Sequence, residues 1–340
     1  MAMTAYLLRT LVVQTPGTRL VLEGDSVKAL LPDGAPRRLP LTAIDAIVVL
    51  SGVDVSTPLL LRCATDGRGL TFLSGLGKAR ASVVGPQDGR GHLRELQYRR
   101  HFDGEARGAM AWSIVTGKIG QMAWGLRQWA RDARSEDAVA LRMHATRLDE
   151  LARSPIPGRR ESMLGIEGTA THRYFSAMRV ALREAEFTTR TRRPPRDPVN
   201  AALSFLYGMV AVATHGAALS AGLDPFCGFL HGDRGDQPSL VLDLAEEFRP
   251  AADRFVVGLF NRRQMSDRHF TRELGGGVSL SDSGREVILD AWHRHRLGEV
   301  KVRGAVEPVP RAALPIVQAN ALAKALRSYS EYEPHQLVVT

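Results

Sequence analysis

Residues 85–92, GPQDGRGH, divide the chain into two kinds of sequence. Before them, from residue 6 to about residue 84, apolar residues come in short runs: YLLRTLVVQ, TRLVLEG, SVKALLP and AIDAIVVLS, separated by TPG, EGDS and PDGAP. Runs of this length, punctuated by turn residues, predict strands in a small, mostly antiparallel β domain. One helix interrupts it at STPLLLRCATDGRG, where Ser56 can cap, Pro58 falls in the first turn, and Gly67 and Gly69 stop the helix. LTFLS and ARASVVG add two further strands. After the hinge the period changes. From Leu93 to Ala152 the apolar residues fall at helical spacing, and no convincing strand is expected from there to residue 330. The expected fold class is α+β, with a β-sheet or sandwich-like domain over residues 1–88 and a larger all-α domain over residues 89–340. TTRTRRPPRDP (188–198) reads as a basic loop broken by prolines, GGGV (275–278) as a glycine break, and 315–329 as a last amphipathic helix.

A chain of 340 residues with 44% apolar side chains builds real cores, so disorder is excluded as the default. The formal net charge is +9, and of 45 basic side chains only Lys28, Lys78, Lys118, Lys301 and Lys324 are lysines. The planar arginine fork suits phosphate, and the excess over acids favours a nucleic-acid partner. A codon bias toward arginine explains the Arg:Lys ratio but not that excess. Cys63 and Cys227 form no CxxC pair, which argues against a zinc ribbon or a disulfide scaffold and fits a reducing cytoplasm. The N-terminus lacks a basic region and Arg9 interrupts its apolar run, so no signal peptide is expected. AALSFLYGMVAVATHGAALSAGL (201–223) is long enough to span a bilayer. Its Ala and Gly content, the central His215 and the lack of a second span favour a buried core helix and no membrane.

The chemistry concentrates in GFLHGDRGDQPSLVLDLAEEFRP (228–250). Asp243 and Glu246 are three apart and share a helix face, while Leu240, Leu244 and Phe248 can turn to a core. A solvated helix face and a metal site both fit this pattern. Upstream, Glu167 lies between Gly165 and Gly168 in MLGIEGTATHRYFSAMR, where it is expected to enter a helix whose inward side is Ala170, Tyr174 and Met178, at a tight junction between helices. By itself such an acid is more often a partner of the helix dipole than a ligand. Joined with His231, Asp243 and Glu246 it completes an oxygen-rich set with one imidazole, which suits Mg²⁺ or Mn²⁺ better than structural zinc. Asp233 and Asp236 could ligate by composition, but a Gly/Asp loop is a poor platform and the helix acids are preferred. His215 reads as a core histidine, and HRHR (293–296) as a solvated basic face. GLGKAR (75–80) lacks the spacing of a phosphate-binding loop.

Several ordered stretches together carry a resemblance: LLRTLVVQTPGTRLVLEGDSV, LPLTAIDAIVVLS, GLTFLSGLGKARASVVGP, GIEGTATHRYF, PPRDPVNAALSFLYGMV, GLDPFCGFLHGDRGDQPSLVLDLAEEFRP and GGVSLSDSGREVILDAW. They span nearly the whole chain, which resembles the CRISPR-associated integrase family, the first-numbered Cas protein, particularly the form found with type I-C systems. The resemblance implies an N-terminal β domain that dimerises and a helical domain that holds the active site. It implies metal ligation by Glu167, His231 and Glu246, with Asp243 as a further catalytic acid on the same helix; some relatives carry Asp where this chain has Glu246. The activity implied is that of an Mg²⁺- or Mn²⁺-dependent DNA endonuclease and integrase. It inserts short spacer DNA into the CRISPR array by attack of a 3′-hydroxyl on a phosphodiester. Double-stranded DNA, a second copy of the chain, the second-numbered Cas protein and the fourth-numbered Cas nuclease are the implied partners. Arg173, Arg190, Arg192, Arg193 and Arg196 are the expected DNA-backbone contacts, whereas Asn200 and Tyr207 read as helix packing. A non-catalytic DNA-binding scaffold and a general metal-dependent nuclease are the competing readings.

Overall fold

The short apolar runs form eight strands in two four-stranded sheets. The computed structural model describes residues 10–13, 15–44, 46–73, 79–83, 85, 91–232, 237–300 and 309–334. The first sheet has the order β1 (Thr10–Val13), β5 (Ala46–Val49), β7 (Gly69–Leu73), β8 (Ala79–Val83), and the second β4 (Arg37–Pro40), β3 (Ser26–Leu30), β2 (Arg19–Glu23), β6 (Asp54–Val55). The expectation of a mostly antiparallel domain needs correction. β1–β5, β5–β7 and β2–β6 are parallel, while β7–β8, β2–β3 and β3–β4 are antiparallel. Short apolar strands buried on a common core carry no signal for the direction of their partner. Helix α1 (Thr57–Thr65) packs on β2 and β7 and seals the small core with Leu59 and Cys63, among Leu20, Ile47 and Leu70. Pro58 lies in its first turn as expected, but Ser56 makes no side-chain cap.

The rest is mainly helical: α2 (Gly91–Phe102), α3 (Gly104–Asp132), α4 (Ser135–Ala152), α5 (Arg160–Ala181), α6 (Pro198–Ala221), α7 (Ser239–Glu246), α8 (Arg249–Asn261), α9 (Asp282–Leu297) and α10 (Leu314–Ser328). Local chemistry sets several boundaries. Asp103 caps α3 by accepting from the Glu105 and Ala106 amides. Asp197 caps α6 through the Asn200 amide, Pro198 opens its first turn, and Gly222 ends it at φ 87°. α6 is the apolar 201–223 segment, and it packs among α7, α8 and α10 as the core helix the sequence favoured. The expectation of no further strand is also corrected. β9 (Phe270–Arg272) and β10 (Val278–Leu280) form a hairpin around the GGGV turn, and β11 (Glu299–Val300) pairs with β12 (Val309–Pro310). Strands of two or three residues are too short to establish a period. Most of the hinge, residues 86–90, and residues 75–78 of GLGKAR lie outside the described residues.

Candidate active site

The histidine-bearing segment 227–231 before α7 is irregular yet densely hydrogen-bonded. Its carbonyls accept from three different helices: Gln97 Nε2 donates to Cys227 at 2.7 Å, His101 Nδ1 to Gly228 at 2.6 Å, Arg107 Nε to Phe229 at 3.1 Å, and Arg160 Nε to Leu230 at 2.6 Å. Its amides turn to α7. Gly228 N donates to Ser239 Oγ at 2.8 Å, Phe229 N and Leu230 N to Asp243 Oδ2 at 2.5 and 3.0 Å, and His231 N to Asp243 Oδ1 at 2.9 Å. A loop segment whose carbonyls at 227–230 and amides at 228–231 are all paired is a rigid platform. Gly228 is required for its close approach, because a Cβ there would lie 2.6 Å from the Ser239 carbonyl carbon and 2.7 Å from Asp243 Oδ2.

Asp243 also accepts from His231 Nδ1 at 2.7 Å. Both of its oxygens are thereby engaged, and it is completely buried. It therefore acts on its neighbours as an orienting carboxylate: with Nδ1 carrying the proton, His231 Nε2 is left as the lone-pair donor. That Nε2 lies 3.7 Å from Glu246 Oε1. Glu246, one turn along α7 from Asp243, is 3% exposed. Burial pushes its carboxyl up, but Arg249 and then Lys118 overcome that and hold it at about 2.

Lys118 of α3 brings Glu167 of α5 to the same point. Its ammonium contacts Glu167 Oε1 and lies 2.6 Å from Glu246 Oε2, while Thr171 Oγ1 donates to Glu167 Oε1 at 2.8 Å. That 2.6 Å contact is an ion pair between two groups that are both almost fully buried. Arg249 holds Glu246 Oε1 from the other side and lies over the Tyr207 ring, 5.1 Å from its centroid. Tyr207 donates to Asp253 Oδ1 at 2.7 Å. Burial raises the Asp253 carboxyl to about 6 despite the Tyr207 hydrogen bond and the charge of Arg190.

Glu167, His231 and Glu246 line one cleft of about 1040 Å³, which Arg80, Arg94, Arg192, Arg193 and Arg249 also line. Two carboxylates drawn together by one cation and an imidazole presenting Nε2 are the donor set of a divalent cation that takes oxygen and nitrogen ligands. The chemistry fits. A cation, the Lys118 ammonium, already bridges the two carboxylates, and among the described residues no three His, Cys, Asp or Glu side chains close around a point.

Some sequence expectations land elsewhere. Glu167 sits inside α5, which begins at Arg160, and Gly165 and Gly168 face open space, so no tight helix junction is made there. Asp233 and Asp236 lie outside the described residues. Arg192 and Arg193 line the cleft, but Arg190 is committed internally to Asn200 Oδ1 at 2.8 Å, Ser204 Oγ at 3.0 Å and the face of Tyr207. Arg196 is exposed and ties its loop to the β9–β10 hairpin through Gly275 O at 2.9 Å. Arg173 is half-buried, and its charge lowers the pKa of His144 on α4, second to burial. His215 lines the cleft, and burial lowers its pKa. HRHR is solvated only in part: His293 and Arg294 are exposed, whereas His295 stacks on Trp292 with centroids 5.4 Å apart. Lys118, Arg249 and the Tyr207–Asp253 pair were missed as site residues. Arg249 was detectable at i+3 from Glu246, but nothing local marks Lys118.

Fold and site together define a β domain joined to a helical domain with an acid–imidazole centre in an arginine-lined cleft. The profile of the family described as CRISPR associated protein Cas1 matches residues 11–294. A CRISPR-associated endonuclease Cas1 of Moorella thermoacetica is 37% identical over 335 residues, covering 96% of this chain and 97% of that protein. The chain belongs to the Cas1 family of CRISPR-associated endonucleases. Its fold matches a CAS1 protein of Thermotoga maritima with a TM-score of 0.75 at 23% identity, covering 94% and 97% of the two chains. It also matches a casposase bound to integration product, with a TM-score of 0.78 at 21% identity and coverage of 95% and 92%. Other relatives carry the fold in larger assemblies. A Cas4/Cas1 fusion of Rhodospirillum rubrum is 34% identical over 297 residues, 83% of this chain and 49% of the fusion. A Cas6-RT-Cas1–Cas2 complex matches with a TM-score of 0.76 at 20% identity, over 95% of this chain and 35% of that one.

Proposed function

We propose that this chain is a metal-dependent DNA endonuclease and integrase that joins a spacer 3′-hydroxyl to a phosphodiester of the CRISPR repeat, in a type I-C-like system of the cytoplasm. The observation that carries the reading is the pairing of Glu167 and Glu246 on one cationic atom in an arginine-lined cleft, with His231 Nε2 beside them. Glu167, His231 and Glu246 would hold Mg²⁺ or Mn²⁺. Such an ion polarises a phosphate oxygen and stabilises the attacking and leaving oxygens of a displacement. The chain's own residues do the rest. Asp243 fixes the imidazole with Nε2 toward Glu246, Arg249 keeps Glu246 ionised, and Arg192 and Arg193 hold DNA phosphates without reading sequence. Arg173 and Arg196 would contact DNA beyond the cleft.

Residues 1–88 serve as the dimerisation domain and 89–340 as the catalytic domain in this reading. The Cas2- and Cas4-containing relatives support the second- and fourth-numbered Cas proteins as partners. The test is strand transfer of a short duplex with free 3′-hydroxyl ends into a repeat-bearing plasmid, with the second-numbered partner and Mn²⁺ or Mg²⁺ present. Joined products are expected from the parent and lost in Glu167→Ala, His231→Ala and Glu246→Ala; variants that join as well as the parent contradict the assignment. DNA degradation without joined products would indicate a nuclease without integrase activity. One observation favours a non-catalytic scaffold: Lys118 and Arg249 already pair with Glu167 and Glu246 as ion pairs that could serve structure alone. A scaffold takes up no Mn²⁺ that depends on His231.

A further inference from the structure

Lys118 is one of five lysines in the chain and is 4% exposed, between Gly117 and Ile119 on the inward side of α3. A buried ammonium requires compensation, and a buried carboxylate (Glu246) and a partly buried one (Glu167) repel unless a cation joins them. Lys118 answers both needs by touching Glu167 and Glu246 together. With Arg249 on the second carboxylate, two positive groups meet these two negative ones, while the third acid, Asp243, is spent on the loop amides and His231 Nδ1. A divalent ion entering this centre has to displace the ammonium or share its oxygens with it, and together with Lys118 and Arg249 it outweighs the three carboxylates. DNA phosphates arriving in the cleft supply the missing negative charge.

We infer that Lys118 is a resident cation that holds the site assembled without metal and makes divalent-ion binding conditional on DNA phosphate. This rests on the metal reading above. Lysine suits the role because its ammonium is a compact point charge on a flexible four-carbon stem and can leave as a unit, whereas arginine would stay locked in a planar fork. Because binding linkage is reciprocal, DNA then raises Mn²⁺ affinity by the same factor as Mn²⁺ raises DNA affinity. Lys118 acts through the two carboxylates and is a positioning residue.

The experiment titrates Mn²⁺ into the full chain, with free ion read by electron paramagnetic resonance, in the presence and absence of a short duplex. The parent, Lys118→Met, Lys118→Gln and His231→Ala proteins are compared, and thermal melts report which variants are folded. Without DNA, the neutral variants are expected to bind Mn²⁺ roughly tenfold tighter than the parent or more, the scale set by removing one adjacent positive charge. Their metal-free melting temperature falls and their Mn²⁺-induced gain in melting temperature exceeds the parent's. The duplex strengthens parental Mn²⁺ binding by a larger factor than it does for Lys118→Gln. A lysine with a merely structural role gives the opposite sign, because loosening the site weakens ion binding. If parental Mn²⁺ binding depends on His231 but neither neutral variant binds more tightly, the inference about Lys118 is overturned and the metal reading stands. If no protein binds Mn²⁺ in a His231-dependent way, both are overturned.

Discussion

Replacing Asp243 by asparagine perturbs the hinge between fold and site. The carboxylate accepts four hydrogen bonds, from the amides of Phe229, Leu230 and His231 and from His231 Nδ1, and nothing of it reaches solvent. An asparagine puts an NH₂ where one carboxylate oxygen was, so a donor faces two donors. Each buried donor left without an acceptor costs about 1–3 kcal/mol, so Asp243→Asn is expected to lose about 3 kcal/mol of stability and Asp243→Ala somewhat more. Urea unfolding reads this as a lower midpoint at unchanged slope. The second consequence concerns the imidazole. Without a carboxylate at Nδ1, His231 no longer holds Nε2 toward Glu246, and Mn²⁺ affinity should fall by roughly 10–100-fold in protein that is still folded. An Asp243→Asn protein within about 0.5 kcal/mol of the parent, or one with parental Mn²⁺ affinity, would refute the reasoning that this acid orients and does not ligate.

Gly228→Ala should be as damaging as an Asp243 substitution, because its Cβ is driven to 2.6 Å from the Ser239 carbonyl carbon; a melting temperature equal to the parent's would show that the loop can lift off α7 without cost. Asp253 has a folded-state pKa of about 6, raised by burial above the ordinary 3.8. Its contribution to stability is therefore present below about pH 4 and lost as pH rises through 6. Over that window Asp253→Asn should gain on the parent by about 3 kcal/mol, which unfolding midpoints at pH 4 and 7.5 would check. The double variant Arg192→Ala, Arg193→Ala should weaken duplex binding for all sequences alike and reduce the salt slope of log K by about 1–2, whereas an unchanged slope would remove both side chains from the phosphate path.

Much of the architecture was legible because it rests on local chemistry. The Asp197–Pro198 start and Gly222 stop of α6, the Pro58 turn of α1 and the strand-sized apolar runs are all written within a few residues. Strand direction was not legible, since β1, β5 and β7 align in parallel through contacts dozens of residues apart. At the site, the Glu246 and Asp243 spacing was readable on one helix, but their different tasks depend on which atoms meet the loop before α7. The same loop explains why distrust of a Gly/Asp segment as a platform does not extend to His231: side chains of α2, α3 and α5 hold four successive carbonyls. Arg190 looked like a DNA contact by composition and is consumed by Asn200 and Tyr207. Lys118 gave no signal at all, because its partner Glu167 lies 49 residues away.

The convergence of Glu167, His231 and Glu246 on one ion is tested most directly by anomalous scattering from crystals of the full chain soaked in Mn²⁺ with a short duplex. The expected result is a manganese peak coordinated by His231 Nε2 and by oxygens of Glu167 and Glu246, with Asp243 still on Nδ1 and the Lys118 ammonium moved off the carboxylate pair. Saturating Mn²⁺ with no peak there, or a peak held by other side chains, would contradict it.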